Sequence, residues 1–157
     1  MGVAFATMTK RFDSWRASPR AKGLAMASLR AGIGFAAILA PSQAARVTGF
    51  PTEHDNPTSR TVGRLFGVRE LVLAWLVIDA SRKKYEPPPS VFAFQSAVDA
   101  SDLVVQTWSI LKRESTNRGV VSGVVLAASG SLMWARLAAE AGKASRPEQH
   151  HTPGMDN

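Results

Sequence analysis

The chain has 157 residues, 45 % hydrophobic and 20 % charged, with no cysteine and a formal net charge of +7. That length fits one domain, and the absence of cysteine excludes a disulfide framework, a thiolate metal site and a cysteine nucleophile. The basic residues are spread among tails and loops rather than gathered on one stripe, which argues against a nucleic-acid surface and suits anionic lipid headgroups.

A mean hydropathy of −0.04 would suit a soluble protein, but the polar residues are concentrated at the two ends and in three loops. Residues 1–22 carry Lys10, Arg11, Arg16, Arg20 and Lys22 against one acid, Asp13. Phe5, Met8, Phe12 and Trp15 share one helical face. This pattern predicts an N-terminal amphipathic helix lying in the membrane interface. An amphipathic helix on a soluble core, or an organelle transit peptide if the source is eukaryotic, would read similarly. Met1 to Met8 lacks the basic start and long apolar run of a secretory signal, and Ala6 departs from the myristoylation pattern.

Four apolar stretches follow over residues 23–140: Gly23 to Ala40, Thr61 to Ala80, Ser90 to Leu111, and Gly119 to Ala138. Each is near the ~20 residues needed to cross a ~30 Å hydrocarbon layer, and none shows the broad polar face of a soluble surface helix. Pro41 ends the first stretch, and Pro87-Pro88-Pro89 precedes the third, since proline is not tolerated in a helix interior. The expected fold is therefore all-α, a four-helix transmembrane bundle, with a soluble four-helix bundle as the alternative. Ser42 to Arg60 reads as a longer connection with turn signals at Gly49-Phe50-Pro51 and Asn56-Pro57. Residues 141–157 read as a disordered tail.

Loop charge orients the chain. Eleven bases fall in the N-terminal segment, the second loop and the C-terminal end, against five in the first and third loops. Both termini are expected in the cytoplasm. Two rows of small residues, Gly63 and Gly67, and Gly119, Gly123, Ala127 and Ser131, would let helices approach closely in lipid.

Six ionisable residues inside these stretches hold the chemistry: Arg30, Arg64, Arg69, Glu70, Asp99 and Asp102. A charge at bilayer depth costs roughly 2.5–3.5 kcal/mol by insertion scales and is therefore expected to be paired. With ~1.5 Å of rise per residue, Arg30, Arg69, Glu70, Asp99 and Asp102 fall in one slab near mid-depth. Arg64 lies near the outer edge and could snorkel to headgroups. Gln95, Asp99, Asp102 and Gln106 form one polar line along the third helix, which should point inward.

The five central residues are the candidate binding cluster, with Asp99 and Asp102 facing Arg30 and Arg69. Three readings remain open: ion pairs that fix helix register, a site for a ligand or lipid headgroup, and proton or redox-linked chemistry. No catalytic residue, cofactor or metal is assigned. His54 is in a loop and His150 and His151 are in the tail, a poor arrangement for a metal. Ser122, Ser129 and Ser131 have no nearby base and read as packing groups. Trp75, Trp108 and Trp134 read as belt or packing residues.

The strings LRAGIGFAAILAP followed by GFP, GRLFGVREL, and VDASD make residues 24–138 resemble the small four-helix integral membrane proteins of the DoxX-like group, including its uncharacterised domain-of-unknown-function branches. The resemblance implies a membrane bundle in a bacterial inner membrane, or an organelle membrane in a eukaryote. Some DoxX proteins are subunits of a quinone-reducing sulfur oxidation complex, but no catalytic motif is shared here. The expected function is a small accessory or structural membrane subunit, its partners being the lipid bilayer and other membrane subunits or further copies of itself. The alternative is a binder or enzyme for an apolar, quinone-like molecule at the Arg–carboxylate cluster.

Overall fold

Proline and short polar side chains set where the helices begin. The computed structural model describes residues 18–82, 86–114 and 117–145. The predicted interfacial helix falls almost wholly outside them, as does the tail beyond residue 145.

Helix α1 spans Pro19–Leu39, with Pro19 at its first position and the Ser18 hydroxyl accepting from the Ala21 amide at 3.1 Å. This cap satisfies one of the amides that a helix start leaves unpaired. A seven-residue helix, α2, spans Pro41–Val47, and one 3-10 turn spans Thr52–His54. Three long helices follow: α3 over Pro57–Arg82, α4 over Pro89–Leu111 and α5 over Arg118–Ala144. At the start of α3, Asn56 and Ser59 cap reciprocally, each amide donating to the other's side chain at 3.0 and 2.9 Å. Asn117 caps α5 through the Val120 amide.

The chain is all-α, with five α-helices and no strand among the described residues. The four predicted apolar stretches correspond to α1, α3, α4 and α5. Of these, α1 and α5 are long and apolar enough to cross a membrane; α3 and α4, which carry most of the interior charges, are not so apolar. The connection at 42–60 is more ordered than expected. Pro41 ends α1 but also opens α2, because its fixed φ suits a first helical position.

The long helices pack as two antiparallel pairs, α1 with α3 and α4 with α5. Gly34 and Gly67 meet where α1 crosses α3. A Cβ on Gly34 would lie 2.8 Å from the Gly67 carbonyl oxygen, and one on Gly67 would lie 2.6 Å from that of Gly34. In the other pair, Gly123 accommodates Gln106, and Ser96 and Ser131 exchange hydrogen bonds with each other's carbonyls at 2.9 and 3.2 Å. Both small-residue rows thus pack largely within the chain, Gly67 against α1 and the α5 row against α4 and Phe50.

Three tiers lie along the long axis. At one end an apolar core joins Ala27, Ala74, Val77, Phe92, Trp134, Leu137 and Ala141, one or more from each long helix. Phe92 and Trp134 stack there with centroids 6.0 Å apart. The buried charges occupy the middle. At the far end, residues 41–56 strap across the helices. The Phe50 ring lies on Gly119, the Ser122 hydroxyl donates to the Thr48 carbonyl, and Asp55 accepts from Ser42 at 3.0 Å and pairs with Arg60 at 2.7 Å.

Candidate functional site

The middle tier is built from one arginine on α1, an Arg-Glu pair on α3 and two aspartates on α4. On α4, Gln95, Asp99, Asp102 and Gln106 recur every three or four residues, so they share one face. Gln95 and Asp99 are buried, and Asp102 and Gln106 are partly so. On α3 the neighbours Arg69 and Glu70 point about a quarter turn apart, which lets Glu70 reach inward while Arg69 reaches α4.

All five candidate residues belong to one chain of ion pairs. Arg30 Nη2 donates to both oxygens of Asp99, at 2.6 and 2.7 Å. Arg30 Nη1 lies 3.4 Å from Glu70 Oε2. Glu70 Oε1 is 3.8 Å from Arg69 Nη1, which lies 2.8 Å from Asp102 Oδ2. The order is Asp99, Arg30, Glu70, Arg69, Asp102, three acids against two bases. The strongest contact ties α1 to α4, and the Arg69–Asp102 pair ties α3 to α4, so the network stitches the two helix pairs together.

The surroundings of Arg30 are specific. Its guanidinium stands over the Trp134 ring, 5.8 Å from the centroid, a cation–π contact that links the charged tier to the core. Gly130 on α5 lies against Asp99, and a Cβ there would come within 2.5 Å of Oδ2. Gln95 donates from Nε2 to the Leu73 carbonyl at 2.8 Å, a second bond from α4 to α3. Arg30 Nη1 and Gln95 Oε1 are buried without a hydrogen-bond partner, a state uncommon enough to require an explanation. The network is buried at Arg30, Glu70 and Asp99 but opens at its other end, where the Arg69 and Asp102 side chains are 34 % and 31 % exposed.

Several contributors were not singled out in the sequence. Gly130, Gly34 and Ser96 act through closeness or a single hydroxyl, and nothing in a helical repeat marks them. Asp79, a further acid within the second apolar stretch, sits half-buried near the end of α3, away from the network. Trp134 is core, whereas Trp75 and Trp108 are exposed. Arg64 is exposed and outside the network, and His54 is exposed in the 3-10 turn. Among the described residues, no group of His, Cys, Asp and Glu could hold a metal ion.

Residues 27–133 match the family described as Domain of unknown function (DUF4267). The chain belongs to that family. The DUF4267 match runs from α1 into α5 and contains all five network residues together with Gly34, Gly67 and Gly130. No curated protein and no solved structure matches the chain. The match is to an uncharacterised domain, and nothing in these comparisons shows a DoxX relationship.

Proposed function

We propose that this DUF4267 chain is a small integral membrane protein whose four long helices form a transmembrane bundle. It serves as a structural or accessory subunit, with the ion-pair network holding the two helix pairs in register. The observation that carries this reading is an inverted distribution of polarity. Large apolar side chains face outward on every long helix: Leu29 and Ile33 on α1, Leu65 and Trp75 on α3, Phe94 and Val104 on α4, Val125 and Leu132 on α5. The charges of the network lie between the helices. A soluble protein of this size would not leave so many large apolar side chains on all four helices open to water.

The two most apolar helices support the same view. A core helix of a soluble protein would be mostly buried, yet only 28 % and 17 % of the apolar stretches of α1 and α5 are. The network charges of α3 and α4 fit spanning segments because each is paired with an opposite charge on a neighbouring helix. The loop charges favour both termini in the cytoplasm, in a bacterial inner membrane or its organelle counterpart. Alkaline carbonate extraction tests insertion: the chain should stay with the membrane pellet, and release into the aqueous fraction would refute the reading. Purification in mild detergent tests the accessory role, which predicts a defined assembly larger than one chain.

A second reading, a site for the polar head of an apolar small molecule, draws on the buried Gln95 Oε1, which has no hydrogen-bond partner, and on Arg30 Nη1, which meets Glu70 as an ion pair but makes no hydrogen bond. It predicts that Asp99→Asn and Arg69→Gln abolish binding of a quinone analogue while the fold survives. If both variants instead only lower thermal stability, the network is structural.

A further inference from the structure

Arg69 and Asp102 stand at mid-length of α3 and α4, about 19 Å along each helix from its first residue, and about a third of each side chain is open to the outside. In the membrane reading proposed above, on which this inference rests, that opening faces acyl chains. Such a pair is unfavourable there unless something polar covers it. Its immediate surround is apolar or small and also uncovered: Leu65 and Val72 one turn either side of Arg69, and Ser101 and Val105 beside Asp102, are all exposed.

We propose that the seam between α3 and α4 is the contact surface for a second copy of this chain, with Arg69 of each copy meeting Asp102 of the other.

The seam is self-complementary. It presents one base and one acid on neighbouring helices, a neutral pair whose two signs lie side by side. A two-fold axis through the seam sets each sign against its opposite in the other copy, which is the geometry of an isologous interface. The network then becomes continuous across the dimer, running from Asp99 and Arg30 in one copy to those of the other. Another class of membrane subunit would need a matching charge pair of its own, and the second copy already has one. The small-residue rows on α3 and α5 are not available for this contact, since they pack largely inside the chain.

The absence of cysteine makes the test direct. Single substitutions Val72→Cys, Ser101→Cys and Val105→Cys report on the seam, while Leu29→Cys and Val125→Cys report on the outer faces of α1 and α5. The full chain is reconstituted at high lipid-to-protein ratio and treated with a mild oxidant. Disulfide dimers should form several-fold more at the seam positions than at the two controls. Equal crosslinking everywhere, or none at the seam, overturns the proposal. A charge-exchange pair sharpens the reading. Copies carrying Arg69→Asp should crosslink with copies carrying Asp102→Arg in preference to their own kind, and no such preference would also overturn it. Carbonate extraction is run on the same samples. A chain released from the membrane refutes the membrane reading, and the same cysteine set then reports in solution whether the seam is covered.

Discussion

At the scale of single residues, three glycines and one arginine separate what patterning reveals from what it conceals. Gly32 and Gly130 look alike in the sequence, each within an apolar helix. Around Gly32 nothing lies within 4 Å of an added Cβ, whereas at Gly130 that atom would meet Asp99 Oδ2 at 2.5 Å. Asp99 is short and held by both oxygens, so it cannot yield without loosening Arg30. Gly130→Ala should therefore cost about 1–3 kcal/mol, the usual range for overpacking, whereas Gly32→Ala should gain up to about 1 kcal/mol of helix propensity. Thermal unfolding of the two variants in one detergent compares them. The helix ends give a second contrast. After α2 and after α4 the chain closes with the same pair of bonds, Phe50 to Ala45 and Gly49 to Arg46, then Glu114 to Ser109 and Arg113 to Ile110. The residue in the left-handed region is Gly49, φ 89°, in the first case and Arg113, φ 57°, in the second. Arg113→Gly should stabilise by a few tenths to about 1 kcal/mol, and Gly49→Ala should destabilise by about 1 kcal/mol or more. The acids and bases themselves were legible because a charge in an apolar run must find a partner. Gly130 was not, because its role is the space it leaves.

At the scale of elements, the four long helices were legible from apolar length and from proline punctuation, with ends displaced by a few residues. α3 begins at Pro57 and α5 runs on to Ala144, because polar residues at helix ends continue the backbone pattern without an apolar signal. In the sequence the strap at 41–56 falls almost wholly within the connection Ser42 to Arg60, since α2 is too short to show periodicity and its order comes from contacts with α3 and α5. Asp55 is the pin of that strap. The Arg60 guanidinium hydrogen-bonded to it holds its carboxyl below the usual carboxylate value; partial burial opposes this, and the Ser42 hydroxyl adds to it. A lowered value in the folded state means that the tie is fully present above the ordinary carboxylate range near pH 4 and is lost as pH falls through the folded value. Amide hydrogen exchange across residues 49–56 should be unchanged from pH 7 to about 5 once the intrinsic rate is corrected for, and should accelerate below about pH 4. Asp55→Asn should show the fast exchange at every pH, so a wild-type profile with no low-pH acceleration would mean that the pair does not hold the strap.

At the scale of the whole molecule, the two helix pairs are each closely packed and meet through an apolar core at one end and the polar network at mid-length. Apolar packing alone would tolerate several offsets of one pair against the other, because small and branched side chains repeat along every face. Arg30 meeting both oxygens of Asp99 admits one offset, as does the Gln95 bond to the Leu73 carbonyl. That division predicts a difference between breaking the network and erasing it. Removing one member, as in Arg30→Met, leaves Asp99 and Glu70 facing each other without their shared base, and should cost about 3–5 kcal/mol. Replacing all three, Arg30→Met with Glu70→Leu and Asp99→Leu, leaves the Arg69–Asp102 pair intact and no isolated charge. Stability should then return to within about 1–2 kcal/mol of the parent chain, or exceed it. What the triple variant should lose is the single arrangement. Distances between spin labels on α1 and α4, one narrow peak in the parent chain, should broaden or split. If the triple variant is as unstable as Arg30→Met, the network supplies stability itself. If it is stable with one sharp distance, the register is fixed instead by the apolar core that joins all four helices, where Phe92 of α4 lies on Gly23 of α1, and the buried charges are free to serve another purpose.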